Sequence, residues 1–225
     1  LAGGSLCAGL VPANDNTMDV TRMKKFFGRR LFLGGVGLLA VAGLLGACSQ
    51  DTLKFSAIDI TGADYGKDFS LPDQHGQLRS LKDFKGQVVM VFFGYTQCPD
   101  VCPTSLTEMA QIKASLGPDA GKFQGLFVTV DPQRDRPEML KAYMANFDAT
   151  FLALVPSVAQ LPELVKNFKI YFKKVDGPTP TSYTMDHTAG SYIYDTQGHL
   201  RLFTRMGTDP AQTAADIRLL LKAAQ

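Results

Sequence analysis

Val88-Val89-Met90-Val91-Phe92-Phe93-Gly94-Tyr95-Thr96-Gln97-Cys98-Pro99-Asp100-Val101-Cys102-Pro103 holds both the start of a core and a pair of reactive side chains. Val88 to Phe93 is an unbroken apolar run of strand length, so a buried β-strand is expected there. Pro103 suits the first turn of a helix, where its missing N–H costs nothing and its fixed φ is already helical. Cys98 and Cys102 therefore fall where a buried strand gives way to a helix. The unpaired N–H groups and the positive end of the macrodipole at a helix N-terminus favour thiolate over thiol. Both cysteines are thus expected to be more nucleophilic and more metal-avid than ordinary cysteine. At i, i+4 on one helix face their Cα atoms would lie ~6 Å apart, within reach of a disulfide. The pair can hold a metal or hold a bond.

The 225 residues, 45% hydrophobic and 20% charged, are enough for one well-filled core, so a single folded domain is expected. Five of the 23 basic residues (Arg22, Lys24, Lys25, Arg29, Arg30) and two of the 21 acidic ones (Asp15, Asp19) precede residue 48, which leaves 18 against 19 beyond it. No basic patch survives in that part, and nucleic acid is excluded as an expected partner. The early bases form a positive n-region before Leu31 to Ala47, an uncharged apolar run of 17 residues, and Leu45-Gly46-Ala47-Cys48 closes it with small residues and a cysteine. That is the pattern of a bacterial lipoprotein signal, with Cys48 lipidated as the mature N-terminus. The competing reading is an uncleaved transmembrane helix, for which such a run is short. Arg29-Arg30-Leu31-Phe32-Leu33 is also similar to a twin-arginine export signal, which leaves the export route open. Residues 1–22 lack periodicity, precede Met23 and are read as a leader that holds an irrelevant Cys7. The expected organisation is leader 1–22, signal peptide or anchor 23–47, linker 48–63 and folded domain 64–225. The domain would lie on the extracytoplasmic face of a bacterial membrane (the periplasm), where Cys98 and Cys102 remain as the one cysteine pair and disulfides persist.

Within the domain, Asp68 to Gln77 with Gly76 at the tight point reads as a hairpin. A helix from about Pro103 to Leu116 and a second apolar strand, Gly125 to Val130, follow the first strand, and this order implies a parallel crossover. Pro137 opens another helix through about Asn146, and the Phe151–Leu154 and Leu161–Phe168 stretches come next. Ser191–Tyr194 and Leu200–Thr204, split by Asp195-Thr196-Gln197-Gly198, form a second hairpin, and Pro210 to Ala223 a last helix. The fold class is α/β: a central mixed sheet flanked by helices, with an additional N-terminal hairpin and cysteines at the first strand-to-helix turn, a thioredoxin-like arrangement.

Three blocks in order, Gly94 to Leu106, then Val130-Asp131-Pro132-Gln133-Arg134-Asp135, then Asp186-His187-Thr188, resemble the Sco/SenC family of thioredoxin-fold copper proteins over roughly residues 55–225. The resemblance implies a membrane-tethered copper chaperone that assists assembly of the binuclear copper centre of cytochrome c oxidase. It implies Cys98, Cys102 and His187 as ligands of one copper ion, Cu(I) or Cu(II). The implied partners are a copper-accepting oxidase subunit, an upstream copper donor and a thiol reductant. Soft thiolates select Cu(I), and imidazole suits both oxidation states. A structural zinc site would want a fourth protein ligand, and beyond residue 48 the chain offers no further cysteine and only His75 and His199 as other histidines. The oxidation state of the dithiol would gate loading, because only reduced sulfur binds the metal.

A different class of function remains open: a thiol-disulfide oxidoreductase that keeps oxidase cysteines reduced through a redox-active Cys98–Cys102 pair. A purely structural disulfide is disfavoured, since so short a loop restrains little chain entropy. A peroxidase would need a dedicated low-pKa thiolate pocket of which the sequence gives no sign. Asp131 is read either as a second-shell hydrogen-bonding partner of the site or as a loop cap, and Asp186 as an orienting neighbour of His187. Arg134 and Asp135 are expected on an exposed loop or partner surface, His75 and His199 in turns, and Met185 and Met206 in packing. Phe93 and Tyr95 are expected beneath the site, and His187 on a loop end. The chain is read as a metallochaperone, not a turnover enzyme; its oligomeric state is left open, a monomer being the simpler expectation.

Overall fold

The computed structural model describes residues 53–179 and 182–223. The leader, the signal or anchor and Cys48 lie outside the described residues. The expected first strand is β4, Val88–Gly94, and every one of its residues is buried. It pairs in parallel with β5, Phe123–Thr129, which is buried throughout as well, and β5 pairs in parallel with β6, Leu152–Leu154. Strands buried on both faces read as continuous apolar runs, which is why both were legible. On its other edge β4 pairs antiparallel with β9, Gly190–Tyr194, and β9 with β10, Leu200–Arg205. β1, Ile58–Asp59, adds to β10 and completes a six-stranded mixed sheet in the order β1-β10-β9-β4-β5-β6. This is the expected thioredoxin-like arrangement.

Helix α1, Val101–Ser115, crosses from β4 to β5, and α4, Pro210–Ala223, packs against both α1 and β4. Leu106, Met109 and Ile112 are the buried stripe of α1, three residues apart along one helix face. Helix α2, Pro137–Met144, starts at its proline as expected and packs on β6. Helix α3 spans Leu161–Asn167.

The N-terminal hairpin forms from β2, Leu71–Pro72, and β3, Leu78–Arg79. Its turn is organised by the buried Asp73 carboxylate, which accepts from the backbone of His75 and Gln77 and from Arg79 Nε at 2.8 Å. Desolvation opposes ionisation of Asp73, but the guanidinium and the two N–H donors prevail and lower its pKa. The hairpin docks on the free edge of β6 through Val155 N–H to the Pro72 carbonyl and Gln74 to the backbone of Ala153, so that edge is covered.

Two departures from the sequence reading bear on function. Residues 53–63, expected as linker, are built into the domain: β1 extends the sheet, and the buried Asp216 of α4 accepts the backbone N–H groups of Ser56 and Ala57. Residues between α3 and β9, to which the sequence reading assigned no element, form a further hairpin, β7, Phe172–Asp176, with β8, Tyr183–His187, outside the main sheet. His187 therefore ends a strand and does not sit on a loop.

Candidate metal centre

β4 ends at Gly94, and residues 95–100 turn the chain into α1, which begins at Val101. Gly94 is required by crowding: a Cβ there would lie 2.8 Å from Cys102 Sγ and 2.8 Å from the Phe127 ring. Cys98 closes a turn through its N–H to the Tyr95 carbonyl, and its Sγ accepts the N–H of Cys102 at 3.4 Å. One sulfur thus receives a free donor of the helix N-terminus, as the sequence implied. Cys102 lies within the first helical turn and is fully buried. Desolvation is the largest influence on its thiol; with the neighbouring Cys98 it outweighs the Tyr95 N–H and pushes the pKa well above that of ordinary cysteine. The expectation of an activated thiolate fails for Cys102, because desolvation outweighs the backbone hydrogen bond that would favour its charged form. Neither cysteine is in a disulfide.

His187 Nε2 stands 3.4 Å from Cys102 Sγ, and Nδ1 lies 3.0 Å from the Thr188 carbonyl. A carbonyl only accepts, so Nδ1 carries the proton and Nε2 presents its lone pair to the sulfurs. Burial lowers the pKa of His187, against smaller opposing effects of the Thr188 carbonyl and the Asp186 charge, and keeps the ring neutral. The rings of Phe92 and Tyr95 stand edge-on to it, each at 6.0 Å between centroids. Phe93, expected beneath the site, packs against Phe168 instead, because successive strand residues face opposite sides and Phe92 has the parity of the site.

One sulfur each from Cys98 and Cys102 and one nitrogen of His187 lie within 4.8 Å of one another. A three-coordinate ion with bonds of roughly 2.0–2.3 Å holds its donors roughly 3.5–4 Å apart, so the cluster fits one soft ion after a small closure. The cluster opens on a cleft of about 390 Å³ lined by Tyr95, Pro99, Val101, Thr184, Met185, Asp186 and Ala189 besides Cys98 and His187. A larger hollow of about 650 Å³, lined by Tyr65, Asp195, His199 and Arg201 among others, lies at the opposite end of the sheet, away from this chemistry.

Asp131 is buried but does not touch the sulfurs. Its carboxylate accepts from Arg134 Nε and from Tyr183 Oη at 2.9 Å, so it reaches the strand that carries His187 and not the ligands themselves. Asp186 is exposed and opposite Lys173 across the hairpin; among the described residues no hydrogen bond joins it to His187. Arg134 and Asp135 are not the exposed pair expected. Asp135 is fully buried and accepts from Thr96 N–H, Thr96 Oγ1 and Thr129 Oγ1, which ties the cysteine loop to the end of β5. Burial raises its pKa despite those donors. His75 and His199 are exposed turn residues, Met206 is exposed, and Met185 is buried packing at the wall of the cleft; none of the four belongs to the Cys-Cys-His cluster. Sequence reasoning missed the hairpin, although Tyr183, Met185 and His187 alternate with Thr184 and Asp186 in the period of a half-buried strand.

A thioredoxin-like domain with a Cys-Cys-His cluster at its first strand-to-helix turn defines the class of protein. The SCO1/SenC family pattern matches residues 59–222, and the chain belongs to that family. A SCO2-like protein of Rickettsia felis is 35% identical over 134 residues, 59% of this chain and 65% of the relative. The chain thus spans just under two thirds of the length of the curated relatives it first matches. The copper-bound structure of Bradyrhizobium japonicum ScoI is 38% identical, with a TM-score of 0.64 over 70% of this chain and 99% of that one. A SCO1/SenC family lipoprotein of Bacillus anthracis is 26% identical, with a TM-score of 0.60 over 70% of this chain and 94% of that one.

Proposed function

We propose that this chain is an extracytoplasmic copper chaperone. It holds one copper ion between Cys98 Sγ, Cys102 Sγ and His187 Nε2, and passes it by ligand exchange to a cytochrome c oxidase subunit during assembly of the binuclear copper centre. The observation that carries the reading is the His187 tautomer: with Nδ1–H held by the Thr188 carbonyl, a neutral nitrogen lone pair faces two sulfurs in a cleft open to a partner. Two thiolates and one imidazole are a donor set for Cu(I). The copper-bound Bradyrhizobium relative, similar over most of the domain, supports the same metal. Tethering by lipidated Cys48 is supported by the signal-like segment 23–48 and by a lipoprotein relative. Among the described residues no helix is long and apolar enough to cross a membrane. An upstream copper donor and a thiol reductant complete the proposed partners, since an oxidised pair cannot take up metal.

The test is an anaerobic Cu(I) titration of the reduced chain, with metal analysis after desalting and thiolate-to-copper absorption on addition of Cu(II). One copper per chain retained through desalting, with that retention lost in Cys98→Ser, Cys102→Ser and His187→Ala, is the expected result. No retained copper beside a readily cycled Cys98–Cys102 disulfide would transfer the function to thiol-disulfide exchange. The half-buried Cys98 ahead of the buried Cys102 has the layout of an attacking and a resolving thiol, and this favours that second reading.

A further inference from the structure

We propose that Arg134 is the positioning residue that sets how far His187 reaches toward Cys98 and Cys102. Its Nη1 donates both to the Tyr183 carbonyl, at 2.9 Å, and to Gln97 Oε1, at 3.0 Å. One nitrogen therefore ties the strand that carries His187 to the residue immediately before Cys98. The Nε is held by Asp131, whose other oxygen accepts from Tyr183 Oη. The guanidinium carbon lies 3.5 Å from the centroid of the Tyr183 ring and 5.7 Å from that of Tyr95. Tyr183 is gripped at its carbonyl, its ring and its hydroxyl by one planar group and that group's carboxylate. A lysine could not make these contacts together.

The grip matters because β7–β8 is not part of the main hydrogen-bonded sheet, and a two-stranded ribbon is marginal by itself. Tyr183, Met185 and His187 share one face of β8, so a slip of one residue would turn the imidazole away from the sulfurs. Pinning Tyr183 fixes that register. Arg134 Nη2 is buried without a hydrogen-bond partner among the described residues, an arrangement that stability alone does not favour.

The inference rests on the copper reading of the site, and its test separates the two. Arg134→Gln and Arg134→Lys are compared in the full chain by Cu(I) competition titration, and in the metal-free protein by the ¹⁵N–¹H signals of the His187 ring. Arg134→Gln is expected to weaken Cu(I) binding roughly 10–100-fold, with partial rescue in Arg134→Lys. In a His187→Ala background the same change should add nothing, because both remove one interaction. The ring signals should shift or broaden in metal-free Arg134→Gln. Wild-type affinity and ring signals in folded Arg134→Gln, or additive losses in the double variant, would overturn the proposal. A wild-type chain that holds no copper would overturn the metal reading instead, and the ring signals alone would then decide for or against Arg134. Should Arg134→Gln fail to fold, Arg134→Lys keeps the charge opposite Asp131 and carries the same comparison.

Discussion

The cysteine turn and the β7–β8 hairpin bring their side chains to one site from opposite structural circumstances. The turn hangs between β4 and α1, where every strand residue is buried and Phe92, Phe127 and Leu106 are sealed from solvent. The hairpin stands apart from the main sheet; Lys173, Lys174 and Val175 are exposed, and it is held chiefly by buried Met185, the His187 ring and the Arg134 grip on Tyr183. The cysteines are therefore fixed with the core, whereas His187 is set by a few local contacts. A centre that binds and releases an ion benefits from one stiff side and one that can yield.

The most forceful way to break this contrast is to cut into each region in turn. Phe92→Ala should cost about 3–5 kcal/mol through the cavity it leaves in the core. Val175→Ala in the exposed ribbon should stay within about 0.5 kcal/mol, both read by urea unfolding. Comparable losses would mean that the hairpin is as integrated as the sheet. Native-state hydrogen exchange sharpens the same point: β4 and β5 amides should open only with global unfolding, and β8 amides at least about 100-fold more readily.

Proton linkage gives a smaller, signed effect. Burial favours the thiol form of Cys102 in the metal-free protein, so the proposed thiolate ligation would require copper to displace that proton. Affinity for Cu(I), measured by chelator competition, should fall about tenfold per unit as pH drops for each proton displaced, and a pH-independent affinity would contradict thiolate ligation by Cys102. His187 has a lowered pKa in the folded state, so its contribution to metal-free stability is full above the ordinary histidine value of 6.5. That contribution is lost as pH falls toward the lowered value, because the unfolded chain then takes up the proton first. His187→Ala should flatten that part of the stability profile. A further small effect is expected at Lys169, where φ is 52° just beyond α3. Lys169→Gly relieves the left-handed strain and should raise the unfolding free energy by at most about 1 kcal/mol, without changing copper affinity.

How much could be read beforehand follows the same division. β4, β5 and the principal helices were legible because burial on both faces leaves unbroken apolar runs, and because Pro137, Pro210 and Gly198 mark element boundaries. Cys98, Cys102 and His187 were legible as residue types within motifs. The hairpin escaped because only one of its faces is covered and lysines interrupt its pattern. Arg134 and Asp135, in a charged loop between prolines, read as surface although one is a clamp and the other is buried.

The sequence by itself determined the parallel βαβ core, the cysteine pair at its first turn and the family to which the chain belongs, because each depends on local spacing and on apolar runs that no neighbour can alter. Only the tertiary structure decided which cysteine is buried, which nitrogen of His187 faces the sulfurs, that Phe92 and not Phe93 backs the imidazole, and that Arg134 joins the two halves of the site. Those properties arise from groups far apart in the chain and brought within a few ångströms. There desolvation and hydrogen-bond geometry override what a helix terminus or a loop composition implies.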